Sequence, residues 1–132
     1  MKENAQKIID DKLNELSKSK FRNSFRLRRY MFDYIDEHGL EKVKEHAYDF
    51  INEKIAPANP LNDGKQTPTK NHPVFIAQHA CACCCRSCLE KWHHIPKGRE
   101  LTKNEVNYIV SLLMEWINRE IERNNDDTYD II

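Results

Sequence analysis

Five cysteines fall within eight positions of the stretch "HACACCCRSCLEKWHH": Cys81, Cys83, Cys84, Cys85 and Cys88, flanked by His79, His93 and His94. Thiolates and imidazoles serve both soft-metal binding and nucleophilic chemistry, so this segment carries the functional question. Two consecutive CxxC pairs, Cys81 with Cys84 and Cys85 with Cys88, have zinc half-site spacing. Geometry restricts them. On one continuous helix, positions seven apart are separated by about 10 Å of rise, so Cys81 and Cys88 cannot share an ion bonded at about 2.3 Å. A neighbouring pair can, with further ligands from elsewhere; His72 and His93 are the nearest candidates.

Pro73 suits the first turn of a helix that is expected to run through the cysteines to His94, where "HIPKG" ends it. A rotation of about 100° per residue then sorts the segment into two stripes. Ala77, Cys81, Cys84, Cys85, Cys88 and Trp92 share one side. They suit a close helix contact as well as a metal, because unpaired cysteine packs as a small hydrophobe. The other side collects His79, Cys83, Arg86, Glu90 and His93. Arginine can hold an anion bidentately, and histidine and glutamate exchange protons, so His79, Arg86, Glu90 and His93 form a candidate catalytic or anion-binding pocket that needs no metal. Cys83 is the candidate nucleophile there, with His79 one turn before it. Cys81, Cys85 and Cys88 also spell CxxxCxxC, the cluster triad of enzymes that cleave S-adenosylmethionine. Those are built on α/β barrels, and a complete barrel needs about 250 residues.

The elements that must position these residues are helical. Ile8, Ile9, Leu13 and Leu16 recur at helical spacing, as do Leu27, Met31, Tyr34 and Ile35 before the terminator Gly39. "LEKVKEHAYDFINEKIAP" gives a third helix, ended by Pro57. "LTKNEVNYIVSLLMEWINREIERN" opens with Thr102 and Glu105 spaced as a capping box, and buries Val106, Ile109, Leu113, Trp116, Ile117 and Ile121. Residues 57 to 73 are rich in proline and lack any period, and read as one long loop. The loop carries "NDGKQTP", whose Asp63, Lys65 and Gln66 are placed to fold over the polar stripe as a lid or anion contact. The fold expected is all-α, about five helices in one compact domain over residues 1–132, with an acidic tail fraying from Asn124.

Composition bounds the function. Lys plus Arg and Asp plus Glu number 21 each, so no global field draws the chain to nucleic acid or an anionic membrane. A local exception is "SKSKFRNSFRLRRY", where Arg22, Arg26, Arg28 and Arg29 interleave with Phe21, Phe25 and Tyr30 as a nucleic-acid-binding module would require. No apolar run approaches the roughly 20 residues of a membrane span, and the charged N-terminus is no signal peptide; the expected compartment is the cytoplasm, with the thiols reduced.

"SKFRNSF", "HAYDFI", "NDGKQTP", "HPVFIAQHA" and "CCRSCLEKWHHIPKGRELT" resemble the motifs of a bacterial family catalogued as domain of unknown function 4186, from about Leu13 to Ile117. The resemblance implies no activity. It singles out Cys84, Cys85 and Cys88 with His72, His79 and His93, and sets Cys81 and Cys83 apart as departures. With that weighting, the leading expectation is a zinc protein using Cys84, Cys85 and Cys88 with His72 or His93. An iron–sulfur cluster is the second choice of cofactor. A metal-free enzyme or anion-binding domain and a nucleic-acid-binding module are the alternatives.

Overall fold

The structure, a computed structural model, describes the backbone of residues 2 to 131 and the side chains of residues 3 to 126. Seven α-helices occur among them and no strand: α1 (Lys2–Ser17), α2 (Lys20–Asn23), α3 (Arg29–His38), α4 (Leu40–Phe50), α5 (Pro73–Ala80), α6 (Arg86–His93) and α7 (Lys103–Ile131). The all-α class holds, with seven helices instead of five. One addition is the single turn α2, which Ser19 caps by accepting the Arg22 N–H. The other comes from the cysteine segment, which is two helices. A π-helical segment, Ile51–Ile55, extends α4, and the chain from Ala56 to His72 has neither helix nor strand. The tail expected to fray continues α7 to Ile131, and its side chains beyond Asp126 lie outside the described residues.

Helix α7 is the spine. Its apolar stripe puts Ile109, Val110, Leu112, Leu113 and Ile117 at zero exposure, and it packs against α1, α4 and α5. Burying each such side chain stabilises by about 1.5–3 kcal/mol, which outweighs the charged remainder of the helix. The capping box forms: Glu105 N–H donates to Thr102 Oγ1 at 3.1 Å, and Thr102 N–H to Glu105 Oε1 at 2.8 Å. Arg99 grips the same carboxylate with two bonds of 2.8 Å, holding it down to about 2, well below the usual range. Gly39 joins α3 to α4 at φ 85°, a left-handed backbone that explains glycine there.

The break between α5 and α6 creates the site. Helix α5 ends in a Schellman arrangement: the Cys83 N–H donates to the Gln78 carbonyl at 2.8 Å and the Ala82 N–H to the His79 carbonyl at 3.4 Å. The left-handed residue this requires is Ala82, φ 57°, where glycine is usual. Cys85 then takes an extended conformation as N-cap of α6, its Sγ accepting the Cys88 N–H at 3.4 Å. A continuous helix from Pro73 to His94 is therefore replaced by helix, five-residue turn, helix, and the two stripes it would have presented do not exist.

The long loop is pinned to this turn. Asp63 accepts the Arg86 N–H at 2.9 Å, adding a carboxylate to the N-terminus of α6. Thr67 Oγ1 donates to the Cys84 carbonyl at 2.8 Å, and the buried Gln78 amide bridges Thr67 and the Cys83 carbonyl. The side chains that fix the loop to the turn are thus Asp63 and Thr67. Gln66 bonds within the loop, to Asp63 and Gly64, and Lys65 closes a backbone turn onto Asn62.

Candidate metal centre

Breaking the helix brings Cys84, Cys85 and Cys88 together. Their three sulfurs lie within 4.8 Å of one another, and Cys84 Sγ and Cys88 Sγ are 3.6 Å apart. Tetrahedral bonds of about 2.3 Å require sulfurs about 3.8 Å apart, so this trio needs little rearrangement to hold one ion. Cys84 and Cys85 are buried, while Cys88 is part-exposed and gives the group its opening to solvent. Cys85 is the N-cap of α6 and Cys88 lies in its first turn, where unpaired N–H groups and the helix dipole favour negative charge.

Arg22 completes the electrostatics. Its Nη2 is 3.2 Å from Cys88 Sγ and its Nη1 3.8 Å from Cys84 Sγ, while Nη1 also donates to the His79 carbonyl at 2.7 Å. Hydrogen bonds from Cys84 and Cys85, with Arg22 adding to them, hold the Cys88 thiol well below its ordinary range despite burial. Cys84 is pushed the other way by its neighbouring thiols and by burial. Within the trio, ionisation therefore starts at Cys88, the sulfur nearest the guanidinium. Arg22 is 8% exposed, and its guanidinium is turned toward the cysteines. Nothing in the sequence ties it to the cysteines, because its partners lie more than sixty positions away.

Among the described residues no histidine joins the trio. His72 caps α5, its Nδ1 accepting the Val74 N–H at 3.0 Å. Its Nε2 is 3.0 Å from His46 Nδ1, which is also 3.0 Å from the Tyr34 hydroxyl. Burial first, then the neighbouring His46 and His38, push His72 down to about 4. His93 lies under α7, with Nδ1 2.8 Å from the Tyr108 hydroxyl and Nε2 2.8 Å from the Cys81 carbonyl, and burial pushes it down to about 4.

The four residues of the expected polar pocket are dispersed. His79 places Nε2 3.0 Å from the Thr67 carbonyl and stacks on Phe25. Glu90 accepts the Lys97 N–H on the surface. Arg86 is 1% exposed, with Nη1 donating to the Pro57 carbonyl at 2.9 Å and Nη2 to the Pro96 carbonyl at 2.8 Å. It closes the C-terminal end of the α4 and π-helical segment, with both terminal nitrogens spent on backbone carbonyls. Cys81 and Cys83 are fully buried, and burial pushes both thiols up, which removes Cys83 as a nucleophile. The basic N-terminal segment is also divided: Arg26 faces Glu120 at 3.8 Å, while Arg28 and Arg29 stand exposed around the start of α3.

Among the described residues no helix is long and apolar enough to cross a membrane. No solved structure matches the chain. The family described as Domain of unknown function (DUF4186) matches residues 10–118, a span that takes in the thiol trio, Arg22 and the loop pinned over the turn, and the chain belongs to that family.

Proposed function

We propose that this protein binds a single soft divalent metal ion, zinc in the first instance, through Cys84, Cys85 and Cys88. The observation that carries the reading is the convergence of three sulfurs at one helix N-terminus under an arginine. Core packing alone does not account for it. Packing thiols need no cation, yet Arg22 gives up hydration to lie against sulfur. Three thiolates around a divalent ion leave one net negative charge, which Arg22 offsets. An ion held there would supply Lewis acidity or a structural clamp. Three protein ligands leave a fourth position, and Cys88 is the part-exposed member of the trio, so an exchangeable ligand is the expected occupant. An iron–sulfur cluster fits less well, because its cysteines ligate different irons and stand farther apart than this trio.

The test is elemental analysis of protein purified without a polyhistidine tag. Near-stoichiometric zinc is expected in the wild type, with loss of metal and a lower melting temperature in Cys88→Ser. Cys81→Ala and Cys83→Ala should keep their metal. Folded wild-type protein that neither carries nor takes up zinc would end this reading.

A further inference from the structure

Arg22 also borders a cleft that none of the cysteines lines. This cleft of about 180 Å³ between α1, α2 and α7 is lined by four arginines, Arg22, Arg26, Arg119 and Arg123, and by one carboxylate, Glu120. These guanidiniums come from chain segments nearly a hundred residues apart, so the fold, not a basic run in the sequence, has gathered them. Gathering like charges is unfavourable unless something opposes them. Glu120 does so only in part: it is buried, accepts the Leu27 N–H at 3.0 Å, and stands 3.8 Å from Arg26. Arg119 is held from outside by Asp10 at 2.7 Å and Glu115 at 3.5 Å. Arg22 is held by the His79 carbonyl and the two sulfurs. Arg26 donates only to the Phe25 carbonyl beside it, and Arg123 has no carboxylate partner among the described residues. Arg26 and Arg123 therefore keep donors to spare, while Arg22 and Arg119 are fixed as a preformed wall. Leu13, Leu16, Ala80 and Trp116 make the rest of the lining largely apolar.

We propose that this cleft binds a small phosphomonoester with an apolar body, the dianionic head on the guanidiniums and the body against Trp116. Planar forks match tetrahedral phosphate oxygens, and a dianion answers the excess of arginine over glutamate in the lining. The site does not depend on the metal reading, since neither Arg26 nor Arg123 touches sulfur, although Arg22 makes it a neighbour of the thiol trio.

Phenyl phosphate, inorganic phosphate and potassium chloride at matched ionic strength are the probes, read by calorimetry and by the indole N–H signals of the two tryptophans, Trp92 and Trp116. Phenyl phosphate is expected to bind saturably and more tightly than inorganic phosphate, shifting the Trp116 signal and leaving Trp92 in place. Arg26→Gln combined with Arg123→Gln should weaken binding by about tenfold or more, as loss of two charge-assisted contacts implies, with metal content unchanged. Arg28→Gln combined with Arg29→Gln should bind as the wild type does. If millimolar phenyl phosphate leaves the Trp116 signal unmoved, the site does not exist; this wild-type measurement stands even if the double variant fails to fold. Equal loss in the Arg28 and Arg29 variant, or tight binding of a single-stranded oligonucleotide that depends on those two residues, would replace the cleft with a diffuse or nucleic-acid-binding surface.

Discussion

The thiol trio and the His46–His72–Tyr34 group each gather three polar side chains within hydrogen-bond reach, the first around the start of α6, the second from the middles of α3 and α4 and the N-cap of α5. Only one is suited to a metal. The difference is lone pairs. His72 spends its Nδ1 lone pair capping α5, so the neutral ring carries its proton on Nε2, the atom that faces His46. To ligate through Nε2 it would have to protonate Nδ1 against the Val74 N–H. The Tyr34 hydroxyl and the His72 Nε2–H then compete for the one lone pair of His46 Nδ1, each 3.0 Å from it, so that lone pair is already engaged. A sulfur has no such conflict, because Cys85 can cap α6 and keep lone pairs for a metal. Residue type and proximity nominate a site, and the prior commitments of each lone pair decide it.

That contrast sets the largest expected effect. Cys88→Ser should remove the metal entirely, whereas His72→Ala should leave it bound and cost about 1 kcal/mol of stability through the lost cap. Metal lost from the His72 variant, with the cysteines intact, would show that the two groups had been assigned the wrong way round. Next in size is Arg22→Met. It keeps the aliphatic stem and removes the charge beside Cys88, so zinc affinity should fall by about 10–100-fold, the range seen when an outer-shell partner is lost. The pH at which zinc binds should rise, because Cys88 then gives up its proton less readily. Competition against a chromophoric chelator across pH measures both; unchanged affinity would reduce Arg22 to a packing residue.

How far the sequence led can be judged residue by residue. Thr102 and Glu105 announced the start of α7, Pro73 that of α5 and Gly39 the joint between α3 and α4, because each acts on backbone within four positions of itself. The trio was legible as a group, since the family's motif weights Cys84, Cys85 and Cys88 above the other two. The break that assembles it was not. Ala82 holds a left-handed conformation for which no sequence rule nominates alanine, and the helical period of the sequence runs straight through it. One misplaced boundary then placed Arg86 and His93 on a shared face they do not have. Arg22, whose sulfur partners are fixed only by tertiary packing, left no local signal.

The histidine group and His93 sharpen the comparison through pH. His72 and His93 are both pushed down to about 4, so below the unfolded value near 6.5 the unfolded chain binds protons that the folded one refuses. Stability should be full above about pH 6.5 and fall as pH drops toward 4, by on the order of 1 kcal/mol per histidine after allowing for their partial solvent contact. His72→Asn combined with His93→Asn should flatten the decline in apparent melting temperature between pH 7 and 5, measured on metal-free protein so that thiolate protonation does not contribute. A slope as steep as the wild type's would assign acid sensitivity elsewhere.

The smallest effect isolates the turn itself. Ala77 and Ala82 are both fully buried alanines in the same core, one inside α5 and one at φ 57° in the turn that follows. Removing a buried methyl costs about 0.8 kcal/mol at either position. Inside the helix, glycine adds a backbone penalty of about 1 kcal/mol, whereas at the left-handed position it relieves a strain of about 1–2 kcal/mol. Ala77→Gly should therefore cost about 2 kcal/mol, whereas Ala82→Gly should leave stability unchanged or raise it by up to about 1 kcal/mol. Denaturant unfolding of the two variants side by side reads the difference. Equal costs would mean that residue 82 is not left-handed in solution, and with that the break in the helix, the meeting of Cys84 with Cys88, and the metal centre built on it would all have to be redrawn.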